Sequence, residues 1–269
     1  MVGIIIGAIL VLGGVGMYFG SQSQKKKLDI IKGTETSTAA ALKDIASSVA
    51  KDIGAGSFNQ IVEVKGKIEC DQPLASELSQ TPCVHYSMKI DREWEETYWD
   101  TDSEGHRTQK TRRGSDNVSS NTRSIPFLVR DATGTIKVDP TGASIDSEKV
   151  FSRFDPGEIS GGSIRIGRFA LNLASNLMGG GRRTLGYRYE ESAVPLGRDI
   201  YVLGEAVDSS GELRIQNPSQ KGGKFIVSLK SEEQLVKSAG SATRGLMIGG
   251  CVAAALGVVL VILGALGVF

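Results

Sequence analysis

Cysteine, histidine and net charge are all scarce in this chain of 269 residues. Three cysteines cannot build a disulfide scaffold. Cys70 and Cys83 lie in the middle, where one bridge is conceivable and two buried thiols are the commoner arrangement. Cys251 falls in a terminal apolar run. Cys70, Cys83, His85 and His106 are the soft metal ligands of the middle region, and their spacing lacks the short paired knuckles of structural zinc sites. The 31 basic and 30 acidic side chains leave a net charge of +1, whereas a nucleic-acid-binding domain would be clearly basic. Aromatic residues are few beside 34 glycines, many of them between short β-rich runs, which favours an all-β middle.

What the chain does have is two long uncharged runs. VGIIIGAILVLGGVGMYF (2–19) is about as long as a helix needs to cross a bilayer core. Lys25, Lys26 and Lys27 follow it, the reverse of the charge order of a cleaved signal peptide, so it reads as an uncleaved anchor. LMIGGCVAAALGVVLVILGALGVF (246–269) is a second span, and the chain stops inside or just beyond it. Lys25, Lys26, Lys27, Lys32, Lys237 and Arg244 all flank the spans on their inner side, which places the middle domain in the cytoplasm. Gly3 with Gly7, Gly16 with Gly20, and Ala253 with Gly257 are small-residue pairs four apart. They permit the spans to pack, within the chain or between copies as a homo-oligomer.

Between the spans the pattern predicts a mainly β fold, an OB-like β-barrel or sandwich with short amphipathic helices. A basic flank and a helix on the stripe Leu42, Ile45, Val49 and Ile53 occupy 21–57, capped by Thr36, Ser37 or Thr38. The β-rich domain covers 58–230. Its hairpin framework is Pro126, Phe127, Asp131, Gly134 and Val138, with DATG as the turn. The polar stretch 100–122 reads as a hairpin tip or flexible loop, with a local basic cluster of Arg107, Lys110, Arg112 and Arg113. SIRIGRFALNLASNLM (163–178) reads as an amphipathic helix. Ile164, Phe169, Leu173 and Leu177 are on its broad apolar face, and Arg165 and Arg168 flank it. Such a helix suits a membrane surface or the mouth of a barrel. The glycines at 179–181 would follow that helix, whereas a phosphate cradle precedes one, so they read as cap and linker. No cofactor motif is present. Ser231-Glu232-Glu233-Gln234 is a capping box opening a connecting helix (231–245), with Gly240 and Gly245 as potential breaks before the span at 246.

Little catalytic chemistry stands out. Cys83 and His85 share a strand face by alternation, rather far apart for a nucleophile pair, and no third group is evident. Asp131, Asp155, Glu190, Glu191 and Glu205 are scattered near turns and strand ends. Gly204-Glu205 reads as a bend within a strand.

PFLVRDATGTIKVDPTGASID (126–146), GYRYEESAVPLGRDIYVLGEA (186–206) and FIVSLKSEEQLVKS (225–238), closing on a span, resemble the GIDE domain, also called BAM, for "beside a membrane". KGKIECDQPLASELSQTPCVHYSMKI (65–90) fits the same pattern, and the likeness runs from about 60 to 269, closest to prokaryotic, cyanobacterial-type members. The resemblance implies the domain between the two spans of RING-type ubiquitin ligases of organelle envelopes. Those ligases carry a RING finger with eight Cys/His zinc ligands after the second span. Three cysteines and two histidines cannot supply it, so the resemblance implies the ligase's substrate-sensing or scaffolding half. It also implies the opposite orientation to the charges, with the domain facing the intermembrane space. The expected function is a two-pass, membrane-anchored binding or scaffold protein without cofactors. It is held flat against one leaflet, with the lipid bilayer and a membrane or membrane-proximal protein as partners. An enzyme or enzyme subunit of membrane-protein modification or quality control, and a lipid-sensing protein, are the competing readings.

Overall fold

In the computed structural model, the structure describes residues 2–157, 163–166, 169–172, 182–209 and 211–266. The uncharged run at the start does not end as a helix near residue 20. One helix, α1 (Val2–Gly33), continues through Lys25–Lys27 to the domain. At the other end, α3 (Glu232–Ala265) runs unbroken through Gly240 and Gly245. At 1.5 Å per residue these are roughly 48 and 51 Å long. A bilayer core needs only about 20 residues. Both helices are long and apolar enough to cross a membrane. Each therefore adds about 12–14 mostly polar residues, or roughly 18–21 Å, as a stalk between its apolar part and the domain.

The two helices pack along a heptad of small residues. Gly7 and Gly14 of α1 face Gly257 and Gly250 of α3; a Cβ built on Gly7 would lie 2.6 Å from the Gly257 carbonyl oxygen. Seven residues further on, Ser21 Oγ donates to the Thr243 carbonyl at 3.3 Å. Gly264 continues the row against Gly3 and Ile4. Glycine removes the side chain that would keep the backbones apart. Of the expected four-residue pairs, Gly3, Gly7 and Gly257 join this seam. A Cβ on Gly16 would meet nothing within 4 Å. Ile5, Ile9, Leu12, Phe19, Ile248 and Leu256 point outward, exposed.

After α1, the Thr38 hydroxyl caps α2 (Ala39–Asp52) by accepting from the Ala41 N–H. Its buried face is Ala39, Leu42 and Ala46. Ile45 and Ile53 of the expected stripe are exposed, because the helix is rotated to lay its small residues on the sheet.

The domain is mainly β. Five strands close on one another: β1 (Asn59–Glu69), β5 (Phe127–Arg130), β6 (Thr135–Val138), β13 (Arg214–Gln216) and β12 (Asp199–Val207), with β12 returning to pair β1. β14 (Ile226–Ser228) and β7 (Ser144–Asp146) extend this sheet from β12. Phe127 and Val129 pair across to Val138 and Ile136, and all four side chains are buried in the barrel core. The expected barrel with its DATG hairpin is thus the centre of the fold. Gly66 lets β1 and β5 meet, since a Cβ there would lie 2.3 Å from the Arg130 carbonyl oxygen. A second sheet is built on β3 (Pro82–Thr101), twenty residues long. It pairs with β2 (Leu74–Ala75), β4 (Arg107–Ser124) and β11 (Arg182–Pro195), and β11 pairs with β8 (Glu148–Pro156).

Two expectations fail here. The stretch 100–122 is no flexible loop: β4 pairs with β3 from Ser124 back to Arg107, leaving a tip of five residues at 102–106. And 163–178 does not form one helix. It carries β9 (Ser163–Ile166) and β10 (Phe169–Asn172), paired antiparallel, with Ile164 opposite Leu171 and Arg165 opposite Ala170. Ile166 is buried against Met88, Ile90, Tyr187 and Tyr189. Arg168, Leu173 and Leu177 lie outside the described residues. The glycine run 179–181 does too, and Arg182-Arg183 opens β11 rather than a linker.

The stalk is seated firmly. Ile31 of α1 and Leu235 of α3 pack on Tyr201, Leu203 and Ile226, on the outer face of the barrel. Beside them Glu63 is fully buried. It accepts from Tyr201 Oη at 2.8 Å and Thr36 Oγ1 at 2.5 Å, and pairs with Lys65 at 2.9 Å. Lys65 reaches on to Glu232 at 2.7 Å, in the first turn of α3. Burial pulls the Lys65 ammonium down, but Glu232 and Glu63 together hold it above its ordinary value. The Ser231–Gln234 capping box expected from sequence is present in full.

Candidate interaction surface

The face of β3 that carries Ser87 and Lys89 opens into a cleft of about 710 Å³, bounded by the 140–147 segment of the barrel sheet. Its walls are hydroxyls and charges. His85 Nδ1 lies 2.8 Å from Ser124 Oγ. Glu190 is gripped by Lys149 at 2.7 Å and Lys89 at 3.0 Å. These two hydrogen-bonded ammoniums, Lys149 first, hold the Glu190 carboxyl down at about 2.

Cys83 does not share this cleft. The register slips between Val194 and Pro195, opposite His85 and Cys83. Beyond the slip Cys83 packs with Tyr86 and Ala193, while His85 lines the cleft with Ser87 and Lys89. Tyr86 and Ser87 are neighbours on opposite faces, so Cys83 and His85 are on opposite faces as well. The same-face expectation is overturned by this one irregularity. Burial, and then the nearby Glu191, push the Cys83 thiol up to about 11, and burial pushes the His85 imidazole down. A thiol of that kind is no nucleophile at neutral pH. Cys70, Cys83 and Cys251 are all free thiols. His106 sits at the hairpin tip, 3.3 Å from Asp102, far along β3 from His85. Among the described residues no three His, Cys, Asp or Glu side chains gather as a metal site.

The scattered carboxylates each tie a loop or strand. Glu191, fully buried, accepts from the Leu78 and Ser79 N–H groups at 2.9 and 2.8 Å and from Ser79 Oγ at 2.7 Å. Glu205 accepts from the Ser219 N–H and hydroxyl, both at 3.0 Å. Asp155 pairs with Arg153. Asp131 accepts from its own turn at Thr133 and Gly134, and from Ala39 of α2. None of these is paired with another for acid–base work.

What projects from the domain is the end of the β3–β4 hairpin. Among the described residues β11 accompanies β3 as far as Glu96, opposite Arg182. Beyond it Thr97–Thr101 and Arg107–Thr111 form a ribbon that is two-stranded among the described residues, roughly 17 Å long at strand spacing. A ribbon this thin is marginal alone. Here the basic residues that read as a cluster are spent along it. Arg112 pairs with Glu96 and lies over Tyr98, Arg113 pairs with Glu95, Lys110 with Asp100, and Arg107 lies over Trp99. Tyr98 and Trp99 remain exposed, Trp99 by 60%. Below the ribbon Trp94 is sandwiched between Gly114 and the Arg182 guanidinium, 3.9 Å from its ring. Opposite charges mirrored about Ser103-Glu104-Gly105 were the sequence signal for this ribbon; its lack of apolar alternation hid it.

The model of the GIDE family, described as E3 ubiquitin ligase, matches residues 95–263. This chain belongs to the GIDE family. The match spans the ribbon, strands β4, β8 and β11 of the second sheet, the barrel strands after β1 and most of α3; β2, most of β3 and the 65–90 segment lie before it. An E3 ubiquitin-protein ligase, SPL1 of Arabidopsis thaliana, is 25% identical over 256 residues, covering 93% of this chain and 67% of the relative. No solved structure matches the chain. The two apolar helices that bracket this GIDE domain fit an integral membrane protein.

Proposed function

We propose that the chain is a membrane-anchored binding module that presents its GIDE domain, on a stalk, to a protein partner. The observation that carries this is the exposed Tyr98–Trp99 ribbon, which protrudes beyond the second sheet. Exposed aromatics in a charged frame are typical anchors of a protein interface. The described residues assemble no nucleophile, acid–base pair or metal cluster beside it. The relative's name says ubiquitin ligase. The 269 residues here hold three cysteines and two histidines, too few to form a two-zinc ligase finger among themselves. The basic residues of the stalk favour a cytoplasmic domain.

The test is affinity purification of the intact protein in mild detergent, with mass spectrometry of what accompanies it. A variant with 97–111 replaced by a two-residue turn runs beside it; this spares β4 from Arg112 onward and its pairing with β3 up to Glu96. A defined protein lost with the ribbon supports the reading. Equal recovery with both chains sinks it.

A further inference from the structure

The domain and the stalk treat their cations differently. In the domain Lys65, Lys89, Lys110, Lys137, Lys149 and Lys230 each pair with a carboxylate, while Lys67, Lys221 and Lys224, scattered on separate elements, make no ion pair among the described residues. On the stalk Lys25, Lys26, Lys27 and Lys32 of α1, and Lys237 and Arg244 of α3, make no ion pair among the described residues. All but Lys27 are exposed. The stalk's acids are Asp29, Glu232 and Glu233, and Glu232 is held by Lys65. Net positive charge is therefore left over beside two apolar helices.

Its height is fixed by the helix pairing. The Ser21–Thr243 contact sets Arg244 level with the last uncharged turn of α1. Lys25–Lys27 come four to six residues, or roughly 6–9 Å, further out, and Lys237 stands about as far from Thr243 as Lys27 does from Ser21. The headgroup layer of one leaflet is roughly 5–8 Å thick. If that layer starts at the first charged turn, Arg244 and Lys25 fall within it, and the long stems of Lys26 and Lys27 reach back to it. Lys25 and Lys32 share one side of α1, and Lys26 and Lys27 turn to others, so the charge encircles the helix pair.

We propose that this collar binds anionic phospholipid headgroups. The site rests on the two-span reading above and adds a ligand class to it. An acidic protein or a nucleic acid carries the same charge, but the collar is at the height of the headgroups, between the spans and the domain. Each cation near an anionic surface favours it by an amount that corresponds to about fivefold in binding.

The full chain is reconstituted in phosphatidylcholine bilayers containing a trace of spin-labelled phosphatidylglycerol or spin-labelled phosphatidylcholine, and the motionally restricted fraction of each is measured. Extraction with alkaline carbonate is run first and tests insertion separately. A chain that washes off overturns the two-span reading; an inserted chain without lipid preference overturns only the collar. The expected result is a severalfold preference for phosphatidylglycerol that falls at 0.5 M salt. The preference is lost in K25Q/K26Q/K27Q/R244Q, kept in the four-site Lys-to-Arg and Arg-to-Lys exchange, and unchanged in K89Q/K149Q. A preference that survives the glutamine variant overturns the proposal.

Discussion

The Asp131 carboxylate accepts a 2.7 Å hydrogen bond from the backbone N–H of Ala39, 92 residues earlier in the chain. Thr133 Oγ1 accepts from the next N–H, that of Ala40, at 3.0 Å. The turn of one hairpin thus satisfies free donors in the first turn of α2, alongside that helix's own Thr38. Asp131→Ala should destabilise the domain by about 1–2 kcal/mol, and Thr133→Ala by less. Chemical unfolding of the purified protein measures both. Equal stability of Asp131→Ala and the parent would refute the cap. Burial pushes the Asp131 carboxyl up, but its hydrogen bonds outweigh that and hold it below its ordinary value. Its contribution is therefore present above the unfolded value and is lost as pH falls through the folded one.

Glu191→Ala removes the acceptor of three donors on Leu78 and Ser79 inside the second sheet. Stranding buried N–H groups costs about 1–3 kcal/mol each. A loss of roughly 3 kcal/mol is expected, with new protease cleavage around 76–81. Limited proteolysis checks it.

Glu190 gives an acid limb. Its carboxyl is held at about 2 by Lys149 and Lys89. A depressed carboxylate stabilises the fold above its unfolded value, near 4.3, and loses that stabilisation as pH falls toward 2. Glu190→Gln should flatten the decline of the urea midpoint across that window while leaving other acid transitions in place. Parallel curves for the two proteins would argue against the pair of lysines.

The helix seam separates glycines that matter from those that do not. Gly14→Val meets the Gly250 carbonyl oxygen, 2.8 Å from where its Cβ would sit, whereas Gly16→Val meets open space. Gly14→Val should lower the melting temperature in detergent by several degrees, and Gly16→Val should not. Matching melting curves would mean that the helices do not pack along this row.

Cys83 should resist alkylation at neutral pH in the folded protein and react only on unfolding, since burial leaves it protonated. Cys83→Ala should retain partner recovery. Fast labelling in the native state, followed by mass spectrometry, would contradict this placement.

Where local chemistry decides structure, the sequence was readable. The capping box at Ser231, the cap at Thr38, the alternation of 126–138 and the length of the apolar runs each reflect interactions within a few residues. The failures share one cause. In 163–178 the apolar residues satisfy a helical period, yet Ile164, Ile166, Phe169 and Leu171 also alternate on either side of a Gly-Arg dipeptide, a hairpin signal. Pairing with a neighbour decided between them. β4 has almost no apolar alternation, because along the ribbon neither face is buried and its order comes from β3. The Cys83–His85 error was one residue of register, which no periodicity reports.

Closure of the barrel joins β1 to β12, so that Asn59 meets Val207 and Lys67 meets Asp199. In a growing polypeptide β1 must wait for almost the whole domain to leave the ribosome. The first apolar helix emerges long before that, and the second only after β12. The domain therefore begins life moored at one end beside an unfinished barrel, its longest-range pairing formed late. Arrival of α3, which docks Leu235 beside Ile31, can lock the barrel only after its strands have met. Until then β1 and its neighbours keep unpaired strand edges, the part of the growing chain with the most to lose by meeting another.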